Sequence, residues 1–559
     1  MTEPSAPLAS PFGAPIRRLG DERLVTGHGR FVDDLRVPGL LHAVIVRSPH
    51  AHARIERIDA AAARGAPGVV AVLTLEELPE CAGAVIPPLV PPTTFRAHAQ
   101  PALAGPVVRC VGEAVAVVLA EDPYEAADAA EMVMVDYAVL EAAVAVDRAL
   151  APEAPRVFDG WPDNVAGVSA SSIGDADGGF AGADVVVEAT LVVPRVAPMP
   201  IEPRGVLALP AASDGLFTVW VSTQMPYAVR SAAARALGIG EERLRVIAPD
   251  VGGGFGGKGH VYPEDVLIPV AARRVGRPVK WIETRHEHLL AAAPDRDQRH
   301  VARLGVTREG RITAIETAFT RDHGAYPMLQ DVISLNTINH LPGPYRVESY
   351  RATGTNVVTH KTFSAAYRGA GRPEAAFVVD RLIDRAARRI GMDAADLRMR
   401  NLIRPEDMPY RTGLTYRDGQ PIVYDPADYP GAFARLLELF DYPRWRGERE
   451  RRRGGLRRLG IGLSAYVEGT GIGPFEGADV RVDGSGTAYV LVGISSQGQA
   501  HETTLAQICA AALSMPVEQV QVLGGDTSVL RHGMGTIASR VAAVAGPAVA
   551  RAARDVARK

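Results

Sequence analysis

The sequence predicts an α+β chain in which mixed sheets and helices form two or more large units. Three observations carry that expectation. The 559 residues exceed what a single core usually holds. Short apolar runs alternate with Ala-rich helical stretches from about residue 20 onward. At 244–275 an apolar segment, a glycine-rich turn and a helix follow one another.

Taken in order, strands are predicted at 40–46, 69–74 and 113–120, an Ala-rich helix at 122–130 and a strand at 132–136. Together they read as one α+β unit. The polar, Pro-rich stretch 151–164 reads as a linker. A second region, about 165–400, holds a strand at 244–248, a helix at 263–275 and an apolar run at 279–282. Pro263 sits at the helix start and Gly276 just past its end. That region closes with a helix at 377–390, stopped by Gly391, and another capped by Asp393 with Asp396 in the capping-box position. The Arg-rich segment 444–458 is expected to be a solvated helix at a domain junction. Strands at 460–466 and 488–494 and a helix at 501–513 follow.

Composition narrows the function classes. Lys and Arg total 61 against 64 Asp and Glu, a net charge of −3, which points to neither nucleic acid nor an anionic membrane. Cys81, Cys110 and Cys509 form neither a Cys-x-x-Cys pair nor a disulfide framework, which fits a reducing compartment and argues against a protein-ligated metal. The first 15 residues carry no apolar signal core, and no run is long and apolar enough to span a bilayer. A cytoplasmic location is expected.

The segment Asp250-Val-Gly-Gly-Gly-Phe-Gly-Gly-Lys-Gly259 is the strongest chemical signal. Glycines permit close backbone approach, and a following helix N-terminus favours negative charge, so an anionic cofactor is expected there. Gly252, Gly254 and Gly257 satisfy a dinucleotide fingerprint, with Glu283 near the ribose-binding position. Gly252, Gly257 and Lys258 satisfy most of a P-loop, but Gly259 replaces the hydroxyl that Mg²⁺ needs. Phe255 would crowd a pyrophosphate in either motif, and a plain structural turn is the remaining alternative.

Other segments identify the loop. Arg23-Leu-Val-Thr-Gly-His-Gly-Arg-Phe-Val-Asp-Asp-Leu35, Ser222-Thr-Gln224, residues 252–258 and Ala366-Tyr-Arg-Gly-Ala-Gly-Arg-Pro373 form an ordered set. Ser496-Gln-Gly-Gln-Ala-His-Glu-Thr503 and Gly535-Thr-Ile-Ala-Ser-Arg540 complete it. The set resembles the molybdenum-binding subunits of the xanthine dehydrogenase, aldehyde oxidase and aerobic carbon monoxide dehydrogenase family, from about residue 17 onward.

The resemblance implies an α/β hammerhead domain at 17–145, a first mixed α/β molybdopterin-binding domain at 165–405 and a partial second one at 425–559. It implies a molybdopterin cytosine dinucleotide whose dithiolene holds molybdenum, with no direct protein ligand. Gln224 would donate to an oxo ligand, and Phe255, Gly256 and the neighbouring Gly254 would lie against the metal centre. Arg368 would face metal and substrate. Gly498, Gln499, Thr536, Ala538 and Ser539 would contact the pterin and its phosphates. Such enzymes hydroxylate an aldehyde or a carbon beside a heteroatom with oxygen from water, a glutamate acting as general base. The cysteine pattern here supplies no iron–sulfur cluster. The 2Fe-2S and FAD centres are therefore expected on a small and a medium partner subunit, in a dimer of heterotrimers.

Plainer readings stand beside these. Gln224 is also a suitable polar residue ahead of a helix near Pro226, and Arg368 could pair with Glu374. His501 is expected to be structural, and Glu468 and Glu476 are expected to shape a turn. Departures from the family pattern refine the expectation. Gly259 stands where purine oxidisers carry Glu, the 367–372 loop lacks the thiol that binds copper, and Ala500 replaces a usual glycine. In the family the general base lies near the C-terminus in a Gly-x-Gly-Glu segment, and no such segment follows Ser539 here. This chain by itself is expected to be incomplete as an enzyme, either completed by another polypeptide or a non-catalytic remnant.

Overall fold

The computed structural model describes residues 10–559 other than 84–94, 212–214, 472 and 474. Its largest sheet has seven strands in the order Leu244–Ile247, Phe217–Val221, Gly205–Leu209, Val279–Ile282, Leu41–Arg47, Ala114–Ala120 and Val69–Leu73. Ala114–Ala120 is buried at every position, as a strand covered on both faces requires. Leu41–Arg47 pairs antiparallel with it and parallel with Val279–Ile282, in register Leu41 to Val279.

Strands from both the first and the second region thus build one sheet. Ala114–Ala120 finds both neighbours within the first 145 residues, whereas Leu41–Arg47 takes its second, Val279–Ile282, from the later region. The expected strand at 132–136 lies later, at Met134–Val139, and joins Ala53–Asp59 and Val107–Val108 in a small sheet. Helix Pro123–Glu131 starts as predicted, with Asp122 capping Tyr124 N–H at 2.8 Å.

A second sheet orders Val165–Ile173, Tyr350–Val357, Ile312–Asp322, Gln298–Val306 and Val185–Val193. Helix Arg372–Ile390 covers it with Ala375, Val378, Val379, Leu382, Ile383 and Ala386. It begins five residues before the predicted 377, because Gly371 (φ +94°) turns the chain and Pro373 suits a first turn. Asp393 caps Ala394–Asn401 through Ala395 N–H at 2.8 Å. Its carboxylate also takes the Tyr442 hydroxyl at 3.1 Å and Arg446 at 3.2 Å, in place of a box with Asp396.

The third unit pairs Ala478–Val482, Ala488–Val492 and Val520–Leu523 under helices His501–Leu513 and Gly546–Ala557. The basic segment forms an exposed helix, Tyr442–Arg451, laced by Arg451 and Arg452 to Glu448. No strand forms at 460–466, contrary to expectation. There Ile461 and Leu463 pack on the second core from an extended chain, held by Arg398 to Leu463 O at 2.8 Å.

Candidate cofactor site

Of four candidate loops, 250–259, 366–373, 496–503 and 535–540, the first and fourth meet at Gln224, which is buried just before helix Pro226–Leu237. Its amide oxygen accepts from Gly256 N–H at 2.9 Å and its amide nitrogen donates to Thr536 O at 2.8 Å. Its backbone donates to Lys258 O at 2.9 Å and accepts from Thr536 N–H at 3.0 Å. Gln224 thus precedes a helix and also joins the glycine loop to the 535–540 loop.

The glycine loop is not the phosphate cradle its composition suggests. Glu264 and Asp265 occupy the first turn of helix Glu264–Val275, and Asp265 accepts from Tyr262 N–H at 2.9 Å. Glu264 is paired with Arg47 and Arg204, while burial raises Asp265 to about 7. Lys258 turns inward to Glu202, at 2.9 Å to its carbonyl and 3.0 Å to its carboxylate. Burial lowers the Lys258 pKa against the opposing pull of Glu202. Glu283 is spent on Arg204 and His288, which hold it well below the usual carboxylate range although burial opposes them. Both nucleotide-motif readings fail on these contacts.

The glycines instead serve close packing inside the protein. A Cβ on Gly254 would meet the Gln224 amide at 2.6 Å, and one on Gly256 would meet Ala366 O at 2.5 Å. Phe255 stands out, half-exposed at φ +56°. The N–H groups of Gly254 and Phe255 find no partner among the described residues.

Arg368 lies beside this turn, its N–H donating to Phe255 O at 2.8 Å. Its side chain is exposed and unpaired among the described residues; Glu374 pairs with Arg296 instead, at 3.4 Å. In the third loop Gly498 (φ +99°) and Gln499 are exposed, and space around Gly498 is open. Gln499 bonds Gln497 through its side chain, at 2.6 and 2.9 Å, and Arg18 donates to Gly498 O at 3.2 Å. In the fourth loop Thr536 is buried and Ser539 exposed, with Ala538 and Ser539 both at φ +50°.

The strained positions gather here. Phe255, Ala370, Ala500, Ala538 and Ser539 all hold left-handed backbone without being glycine, as segments shaped by function often do. His501 is kept neutral by burial, with its pKa lowered to about 4. Glu468 pairs with Arg372 at 3.1 Å, and buried Glu476 with Arg540, so both brace turns as expected.

Several supporting residues escaped the sequence reading. Glu202 holds Ser222 Oγ and Gly252 N–H, each at 2.7 Å. Asp250 takes a bidentate bond from Arg23, both at 2.6 Å, and Arg30 N–H at 2.7 Å, strapping the N-terminal segment to the glycine loop. Asp295 and Arg296 grip the Tyr367–Arg368 backbone. The one visible signal was the charged run Asp295, Arg296, Asp297 beside an Ala-rich stretch.

Comparison with known proteins agrees with this architecture. The aldehyde oxidase and xanthine dehydrogenase a/b hammerhead domain model matches residues 26–141, and the molybdopterin cofactor-binding domain models match 157–402 and 435–559. The carbon monoxide dehydrogenase large chain of Hydrogenophaga pseudoflava is 36% identical, over 96% of this chain and 69% of its own length. The nicotine 6-hydroxylase large subunit of Paenarthrobacter nicotinovorans is 36% identical, over 98% of this chain and 68% of its own. Quinoline 2-oxidoreductase of Pseudomonas putida 86 superposes with a TM-score of 0.91 at 36% identity, covering 98% of this chain and 70% of that one. The chain belongs to the molybdopterin-binding large subunits of the molybdenum hydroxylases, the aldehyde oxidase and xanthine dehydrogenase family of oxidoreductases.

Proposed function

We propose that this chain carries a molybdopterin cytosine dinucleotide and hydroxylates an aldehyde or N-heterocycle, passing electrons to 2Fe-2S and FAD centres on partner subunits. One observation carries the reading: Gln224 ties the glycine loop to the 535–540 loop and Arg368 N–H binds Phe255 O, while the Gly254 and Phe255 N–H donors beside them stay unpartnered among the described residues. Molybdenum held by the pterin dithiolene would supply Lewis acidity and two-electron redox capacity.

The protein's part is to bind and orient. Gln224 spends one amide hydrogen on Thr536 O and keeps a second to offer. Gly254 and Phe255 present free N–H groups, and the Phe255 ring, with Gly256 behind it, walls one side. Gly498, Gln499, Thr536, Ala538 and Ser539 provide backbone and hydroxyl contacts for the pterin and its phosphates. The Arg368 guanidinium is left to meet a polar group of the substrate.

Substrate class follows from two departures. A Glu at Gly259 would begin with a Cβ 3.0 Å from Gly256 O, so this loop favours no acid for a purine. No thiol lies in 366–372, which disfavours a copper-bearing carbon monoxide site despite that kinship.

Co-expression with its partner subunits should yield a complex containing molybdenum and releasing cytidine monophosphate on acid hydrolysis. With a polypeptide carrying the Gly-x-Gly-Glu base also supplied, that complex should reduce a dye acceptor with benzaldehyde or quinoline. Recovery of NAD or ATP alone, without molybdenum, would overturn the proposal.

A further inference from the structure

Two adjacent residues, Asp295 and Arg296, take up nearly every backbone polar group of Tyr367 and Arg368. Asp295 accepts from Tyr367 N–H at 2.8 Å. The Arg296 guanidinium donates to Arg368 O at 2.6 Å and, beside Ala370 N–H at 2.7 Å, to Tyr367 O at 3.4 Å, and lies over the Tyr367 ring at 5.0 Å. The remaining group, Arg368 N–H, goes to Phe255 O. The only polar group Arg368 retains is its exposed guanidinium.

The grip is built with unusual investment. Arg296 and Asp297 are consecutive non-glycine residues at φ +71° and +55°. Asp297 is pinned by Arg195 at 2.9 Å, and Asp295 by Arg321 at 3.3 Å. Asp295, Arg321 and Glu374 are fully buried, and Arg296 is 8% exposed. Arg296 faces Asp295 at 3.5 Å and Glu374 at 3.4 Å, so two carboxylates hold one cation at the loop. Burial, then the charge of Asp295, pushes the Glu374 carboxyl upward against the pull of Arg296. A cluster this costly needs a reason beyond stability.

We propose that Arg296 is a positioning residue: with Asp295 it locks the Tyr367–Arg368 backbone against Phe255 and so aims the Arg368 guanidinium into the cofactor site. This rests on the reading above that the 366–373 loop faces the cofactor. A planar fork is what two neighbouring carbonyls require, and a lysine ammonium would keep the charge but lose that geometry.

The test uses the assembled holoenzyme carrying Arg296→Lys, Glu374→Gln or Arg368→Ala. Amide hydrogen exchange of the peptide across 364–371 reads the grip, and the paramagnetic resonance spectrum of dithionite-reduced molybdenum reads its consequence. Arg296→Lys is expected to speed exchange in that peptide about tenfold while strands Gln298–Val306 and Ile312–Asp322 keep their rates. Its molybdenum spectrum should shift as the Arg368→Ala spectrum does. Glu374→Gln should change both in the same direction, and decides the matter if Arg296→Lys fails to fold. Wild-type exchange and spectrum would overturn the proposal, and so would loosening without a spectral shift. An unshifted Arg368→Ala spectrum is a different failure: it removes the loop from the cofactor and takes the proposal with it.

Discussion

Gln224 and Thr536, 312 positions apart, are tied by two hydrogen bonds of opposite sense: side chain to carbonyl at 2.8 Å and amide to carbonyl at 3.0 Å. The Gln224 oxygen meanwhile holds Gly256 N–H. One side chain therefore sets the spacing between the first and fourth loops of the site.

Gln224→Ala leaves Gly256 N–H and Thr536 O unpaired and should destabilise the fold by about 1–3 kcal/mol. Turnover in the assembled enzyme should fall far more, on the order of 10²-fold, because the loops drift apart. Urea titration and kcat on the same preparation separate the two effects. Normal turnover would remove Gln224 from the site.

The fourth loop hangs on Arg540, which bonds Glu476 and the carbonyls of Phe475 and Gly535. Arg540→Met strands a buried carboxylate and should lose about 3–5 kcal/mol. Removing both charges in Glu476→Leu/Arg540→Met should restore most of that loss. Denaturant midpoints of the two single variants and the double test it, and strict additivity would refute the pairing.

Asp265 gives a pH dependence of known sign. Its carboxyl is raised from 3.8 to about 7 by burial, so the unfolded chain ionises first. Stability from this group is complete below about pH 4 and is lost as pH rises toward 7. Asp265→Asn should therefore gain stability over the wild type at pH 8 and gain little at pH 4. Melting temperatures at the two pH values check it, and an equal effect at both would contradict the assignment.

Two glycines with similar backbone angles should respond differently. Gly256 (φ +96°) has Ala366 O in the way of a Cβ at 2.5 Å, whereas Gly498 (φ +99°) has nothing within 4 Å. Gly498→Ala should cost only backbone strain, about 1–3 kcal/mol. Gly256→Ala should also push the first and second loops apart and abolish turnover. Comparable activity in both variants would show that Gly256 is not packed as described.

Legibility of the sequence followed the range of the forces involved. Helix His501–Leu513 matches its predicted span, and the apolar run 279–282 is a strand, because apolar patterning and end signals are local. At 460–466 the alternation of Ile461, Gly462, Leu463 and Ser464 reported half-burial correctly but not strand pairing, which depends on a neighbour. The same limit hid the grips on the site. The glycine loop announced itself by composition, yet the partners that decide its chemistry, Glu202, Gln224 and Ala366, lie 32 to 110 positions from Gly256 or its neighbours: Gln224 to Gly256 spans 32, and Glu202 to Gly252 spans 50. Arg296 and Glu374, 78 positions apart, gave no local sign of meeting.

The parallel seam between Leu41–Arg47 and Val279–Ile282 makes the hammerhead a poor module for transplantation. Cut away from the rest, it would expose the open side of a strand whose Leu41, Ala43 and Ile45 are buried, an invitation to edge-to-edge aggregation. Chimeras between relatives should therefore exchange both strands together, and a limited-proteolysis fragment ending near residue 150 should precipitate once separated from its complement.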